Sequence, residues 1–284
     1  MQRYRLQLIL LITSFLFALK SYAGVDPVKV VIYGDAHYPP YSWEQGDQVV
    51  GIYPSILRHA FKKMTNYEVE LKPVPWKRGL YYLQQGSAFA LFPPYYHPTL
   101  RPYISPYSVP ILDELTILAC YKETFNTPRT IWPDDFFGLM IAVNRGYALG
   151  GKAFYRAVAQ DKIQRIEIEG TEKNLLVVST GRTDCYINDI NAIKWGVQKL
   201  KNDKRFKLQM DNIAFGPTIA SQQGFLGYSN IRNDLFPFKN EFVREFDAVI
   251  EQMKSSGKID AIVEQFYREN QPKPTPTIAP DFAP

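Results

Sequence analysis

A guanidinium held among aromatic rings can bind a small anion. The stretch Phe89-Ala-Leu-Phe-Pro-Pro-Tyr-Tyr-His-Pro-Thr-Leu-Arg-Pro-Tyr103 has the parts for such a site. Phe89 to Phe92 reads as a short buried strand. Pro93 and Pro94 end it, because proline donates nothing to a sheet ladder. A turn rich in rings then leads to Arg101, whose planar fork matches a carboxylate. Taken alone, an arginine in a proline-rich loop is more often a surface residue. Other polar residues lie far along the chain. Asn144-Arg145-Gly146-Tyr147 marks a loop meeting a helix start, which can add N–H donors, and Asn188 stands beside Asp189. His37, His59 and His97 are isolated from one another and from any CxxC or HExxH pattern, so no metal site and no cofactor is expected.

These candidates need elements to hold them. Lys29 to Tyr33 is a β-branched strand, and it runs into Gly34-Asp35-Ala36-His37-Tyr38. Gly51 to Met64 carries Ile52, Ile56, Leu57, Ala60, Phe61 and Met64 at helical spacing. Tyr67 to Leu71 alternates as a strand, and Pro75-Trp76 opens a short helix that Gly86 ends. With the strand at Phe89 this gives β-α-β-α-β, the pattern of a parallel sheet with crossover helices. After a strand at 115–121 and the Thr127-Pro128 break the pattern restarts. Strands are expected at 140–143, 164–168 and 183–187, with helices at 151–159, 171–179 and 191–200. A lone strand at 224–228 precedes two amphipathic helices, 240–253 and 258–269. Ligands of open parallel sheets sit at the carboxyl ends of strands. That rule nominates Asp35, Tyr38, Trp76, Pro94 to Tyr96 and Arg101 from the first unit, and Asn144 to Tyr147, Asn188 and Asp189 from the second. Two such units facing each other make a cleft.

Residues 1–23 read as a secretory signal peptide, with Arg3 and Arg5 before an apolar run and Ser21-Tyr22-Ala23 at the cleavage spacing. The run is shorter than the ~20 residues of a spanning helix, which argues against an uncleaved anchor. Removing it takes away Arg3, Arg5 and Lys20 and no acid, so the formal charge falls from +5 to +2. That is too little positive charge for a nucleic-acid partner. Five prolines between 271 and 284 read as an extended tail.

In order and spacing these pieces resemble the family 3 extracellular solute-binding proteins, the type II periplasmic receptors of amino-acid ABC transporters. The likeness covers about residues 25–270. It is carried by Asp35-Ala-His-Tyr-Pro-Pro-Tyr-Ser-Trp-Glu-Gln-Gly-Asp-Gln-Val-Val-Gly-Ile, by Leu100-Arg101, by Thr183 to Asp189, by Gln222 to Asn230 and by Phe242 to Tyr267. The resemblance implies a two-lobed α/β fold, each lobe a mostly parallel sheet with crossover helices, joined by two crossing strands. Lobe one would comprise 24–115 plus 221–270, and lobe two 116–220. It implies a monomeric periplasmic protein, not an enzyme, whose partners are a small amino-acid-like ligand and an inner-membrane ABC permease. Arg101 would pair with the ligand carboxylate and Asp189 with its ammonium. Tyr38 and Trp76 would flank the side chain, Asp35 would contact it, and Asn144, Arg145 and Tyr147 would form the variable second-lobe loop. Pro94 and Tyr96 depart from the small residues usual at their positions, which bears on which ligand fits.

Other residues have plainer roles on the same reading. Asp184 is a structural acid, Tyr41, Trp43 and Tyr53 are core or rim, and Arg78 is a surface helix charge. Tyr95 and His97 stand between cleft lining and loop packing. In this fold the strands bearing Cys120 and Cys185 are antiparallel neighbours, so the two thiols are either bridged or two separate buried residues. Two rival functions share the scaffold: an exported enzyme resembling cyclohexadienyl dehydratases, for which Asp35 is the spare acid, and a ligand sensor for a membrane partner.

Overall fold

The computed structural model describes residues 26–270. The expected leader and the proline-rich tail both lie outside the described residues. β1 (Val28–Asp35) pairs in parallel with β5 (Tyr67–Val74) from Val28↔Tyr67 to Asp35↔Val74. Between them runs α1 (Ile52–Phe61), whose Ile52, Ile56, Leu57, Ala60 and Phe61 are buried on one face. α2 (Trp76–Gln84) then leads to β6 (Ala90–Phe92), which lies on the other side of β1. All three residues of β6 are buried, as a central parallel strand requires. Asp35, Trp76 and the chain beyond Phe92 therefore leave one edge of the sheet together.

The first sheet is completed by β7 (Ile104–Tyr107) and by the returning β13 (Gly227–Ser229), in the order β5-β1-β6-β13-β7. α6 (Lys239–Ser255) and α7 (Lys258–Asn270) cover it with Phe242, Phe246, Ile250, Met253, Ile262 and Phe266. Three short strands, β2 (His37–Tyr38), β3 (Ser42–Gln45) and β4 (Gln48–Val50), form a separate small sheet. They are too short to show alternation in the sequence, which reads there as loop and turn.

The second sheet has the order β10-β9-β11-β8-β12. β9 (Met140–Asn144), β10 (Gln164–Ile168) and β11 (Cys185–Asp189) are parallel, and α3 (Gly151–Ala159), α4 (Thr171–Ser179) and α5 (Ile190–Asn202) are their crossovers and cover. β8 (Leu112–Tyr121) and β12 (Ile213–Gly224) run antiparallel to each other and carry the chain between the sheets. Both belong to the second sheet along their whole length, so the chain changes sheets at 111–112 and 224–225, a few residues outside the expected boundaries. β12 alternates poorly because its register with β8 shifts between Phe215 and Thr218 and again between Thr218 and Ala220.

Cys120 faces Cys185 directly across β8 and β11, and the two are joined in a disulfide that closes a loop of sequence separation 65. A bridge over a loop this long stabilises by about 2–4 kcal/mol. Replacing both cysteines with alanine is expected to lower the stability by that amount in a denaturant titration. Denatured, unreduced wild type is expected to titrate no free thiol.

Candidate functional site

The edge where β1, β5 and β6 end builds one wall of a cleft. Arg101 projects over the indole of Trp76, 5.5 Å from its ring centre, and is only 4% exposed. Burial lowers its pKa, but a guanidinium stays charged. Among the described residues no carboxylate lies within salt-bridge reach of it, and its hydrogen bond goes to the Gly146 carbonyl at 3.2 Å. Asp35 accepts the His37 backbone N–H at 2.9 Å. Burial, opposed by its hydrogen bonds, raises its carboxyl to about 6.

The second sheet supplies the facing wall. Asn144 ends β9, and the chain turns on the Tyr147 N–H to Asn144 carbonyl bond at 2.9 Å. Gly146 adopts φ +80°, a conformation glycine takes without strain. This turn drives Tyr147 across the gap. Its ring meets Trp76 and Tyr38 edge-on, at 5.9 and 5.6 Å between centres, and its phenol donates to Asp35 Oδ2 at 2.5 Å. His37 and Glu169 face each other across the same seam at 3.6 Å. The remaining cavity, about 310 Å³ including its mouth, is lined by Asp35, Tyr38, Trp76, Arg101, Tyr147 and their neighbours. It is small for a ligand pocket because Tyr147 stands in it.

Six of the nominated residues thus meet in one place: Asp35, Tyr38, Trp76, Tyr95, Arg101 and Tyr147. Asn144 and Arg145 line an adjoining hollow with His37, Lys77 and Glu169. Pro94 and Tyr96 do not line the cleft. The chain beyond β6 is extended, and its side chains alternate, so Pro93, Tyr95 and His97 face inward. Tyr96 is exposed and packs on Tyr107 and Phe225, and the Pro94 carbonyl accepts the Phe225 N–H. Of the nominated stretch Pro94 to Tyr96, the middle residue is the one that lines the cavity. Asn188 and Asp189 also lie outside the cavity lining. Asn188 donates to Thr171 and Tyr186 behind the sheet. Asp189 caps α5, accepting the N–H groups of Asn191 and Ala192, and takes the Leu115 N–H on its other oxygen. Asp184 takes the Met140 N–H, a structural role, and Arg78 lies on the surface.

The family model of the bacterial extracellular solute-binding proteins, family 3, matches residues 30–269. The chain belongs to that family. None of the curated proteins compared with it matches in sequence. Among solved structures, a histidine kinase sensor domain with similarity to periplasmic binding proteins superposes with TM-score 0.67 at 16% identity, covering 84% of this chain and 96% of that one. The arginine-, lysine-, histidine-binding protein ArtJ of Geobacillus stearothermophilus gives 0.64 at 17%, covering 86% and 97%. An ancestral amino-acid-binding protein, a precursor of cyclohexadienyl dehydratase, gives 0.61 at 17%, covering 84% and 95%. At these identities the likeness establishes the two-lobed type II fold. Among the described residues of this family 3 protein, no helix is long and apolar enough to cross a membrane.

Below the cleft, where the family 3 chain changes sheets, one acid gathers three phenols. Glu114 is buried and accepts from Tyr38, from Tyr53 at 2.5 Å and from Tyr95 at 2.5 Å. A Cβ on Gly224, from the other crossing strand, would lie 1.7 Å from the Tyr53 hydroxyl, so only glycine closes this cage. Glu114 was not among the nominated residues. Its signal is the alternation of β8, which puts it on the inward side with Thr116 and Leu118. Burial first, and then the neighbouring Asp189 carboxylate, raise Glu114 from 4.5 to about 7, against the pull of its three phenols.

A carboxyl raised in the fold makes the folded protein bind more protons than the unfolded chain between its two pKa values. Stability then falls as pH rises through that window, here from 4.5 to about 7. Asp35, raised to about 6, acts in the same direction. The melting temperature is expected to drop between about pH 4.5 and about pH 7, and Glu114→Gln to flatten the drop. Scanning calorimetry across pH checks both; a profile as steep in the variant as in wild type would contradict the role of Glu114.

Proposed function

We propose that this protein is an exported solute receptor. It closes its cleft on a small, amino-acid-like carboxylate and presents the closed form to an inner-membrane ABC permease, working as a monomer without cofactor or chemistry. The observation that carries this is Arg101: a guanidinium 4% exposed, in a cleft between two lobes, with no carboxylate partner among the described residues. Burying a cation without an anion is costly, and a solute that supplies one gains a charge-assisted, two-pronged bond. Closure then follows from the differential affinity of the closed form for that solute. The family membership and the amino-acid-binding neighbour ArtJ support the same reading. Isothermal titration of the purified protein with amino acids and small organic acids tests it. Arg101-dependent binding of a carboxylate is expected; binding only of uncharged or cationic solutes would count against it.

Two other readings each have one observation. The sensor-domain neighbour favours signalling through a membrane partner. The dehydratase-precursor neighbour, with Asp35 poised at about 6 beside a phenol, favours an enzyme. Neither explains an unpaired Arg101 better than binding does.

A further inference from the structure

A piece of the chain itself occupies the cleft, and its chemistry can be read. The Gly146 carbonyl accepts from Arg101, the Tyr147 ring stands between Trp76 and Tyr38, and the Tyr147 phenol donates to Asp35. Each part of the cavity is matched by one part of this dipeptide: an acceptor on the guanidinium, a ring between aromatic walls, a donor on the carboxylate.

The match falls short at the Arg101 end. A carbonyl offers a neutral, single oxygen to a fork that takes two. Trp76 lines the same cavity, and its indole Nε1 is a buried donor with no hydrogen-bond partner among the described residues. A carboxylate there adds the missing charge and an acceptor for the indole N–H. The acid expected to hold an α-ammonium, Asp189, lies outside the cavity lining and already accepts three backbone N–H groups. Nothing in the cavity therefore requires an α-amino group.

Resting on the receptor function above, we propose that the solute is a hydroxyaryl carboxylate. Its carboxylate replaces the Gly146 carbonyl on Arg101, its ring replaces that of Tyr147 between Tyr38 and Trp76, and its hydroxyl replaces the phenol on Asp35. The Gly146 carbonyl carbon reaches the Tyr147 ring through N, Cα and Cβ, so para-hydroxyphenylbutanoate is the probe of matching length. Tyr147 is the internal competitor, and the solute enters as it leaves.

Titrations followed by tryptophan fluorescence and by calorimetry, using para-hydroxyphenylbutanoate, phenylbutanoate, L-tyrosine, L-arginine and L-glutamine, decide it. The hydroxy acid is expected to bind wild type about tenfold or more tighter than phenylbutanoate, which lacks the donor for Asp35. Tyr147→Ala is expected to tighten that binding roughly tenfold or more, since the competing contacts are gone. Tyr147→Phe, which keeps the ring and removes only the phenol, shifts it in the same direction by less. Equal affinity for the two acids, or weaker binding to both Tyr147 variants, overturns the proposal. Arg101-dependent binding of the amino acids, with no binding of the hydroxy acid to wild type or Tyr147→Ala, overturns the solute class and leaves the receptor function standing. Failure of every carboxylate to bind either protein contradicts both.

Discussion

Arg101→Ala is expected to weaken carboxylate binding roughly 100- to 1,000-fold while leaving the ligand-free protein as stable as wild type, or more so. The two halves of this result have one cause. In the ligand-free protein the guanidinium is buried against Trp76 and meets only the neutral Gly146 carbonyl, so removing it relieves an uncompensated charge. In the bound form it faces an anion, and removing it leaves that anion buried without a partner. Arg101→Lys keeps the charge and loses the fork, so an intermediate loss of about tenfold is expected. Calorimetric titration together with thermal melts of the ligand-free variants separates the two effects. A variant that melts far below wild type would make Arg101 a structural residue instead.

Asp189→Ala is expected to do the opposite, destabilising the protein by about 3 kcal/mol, or roughly 6–12 °C in Tm. Three backbone N–H groups, those of Leu115, Asn191 and Ala192, lose their acceptor. Two belong to the first turn of α5, where an N-cap alone contributes about 1 kcal/mol. The third belongs to β8, the neighbour of β11 in the same sheet, so the loss also weakens the second sheet at this strand end. Asp189→Asn keeps an acceptor for the cap and is expected to recover part of the stability. Equal melting temperatures for Asp189→Ala and wild type would contradict this role.

The contrast between these two residues shows what the sequence makes legible. The helices and the parallel strands follow from apolar spacing, which is local: the buried faces of α1 and α6 can be read directly from Ile52 to Phe61 and from Phe242 to Met253. The rule that sites gather where parallel strands end finds Asp35, Trp76 and Arg101, because it depends only on strand direction. It does not give side-chain phase. Of the nominated stretch Pro94 to Tyr96 only Tyr95 faces the cleft, with Pro93 and His97, because neighbouring side chains of an extended segment point to opposite sides. Nor does sequence position tell a binding acid from a capping one. Asp189 stands at a strand end and at a helix start at once, and only the neighbouring N–H groups show which role it takes. Glu114 can be read as an inward residue of β8 but not as the centre of a cage, for a related reason. Its partners Tyr38, Tyr53 and Tyr95 come from three separate segments that only the folded chain brings together.

The most direct test of a cleft that shuts on an anion is the structure of the protein grown with the carboxylate that calorimetry ranks tightest. Both carboxylate oxygens are expected within hydrogen-bonding distance of Arg101, with the Gly146 carbonyl displaced from it. A solute seated elsewhere, with Arg101 still holding the Gly146 carbonyl, would contradict it.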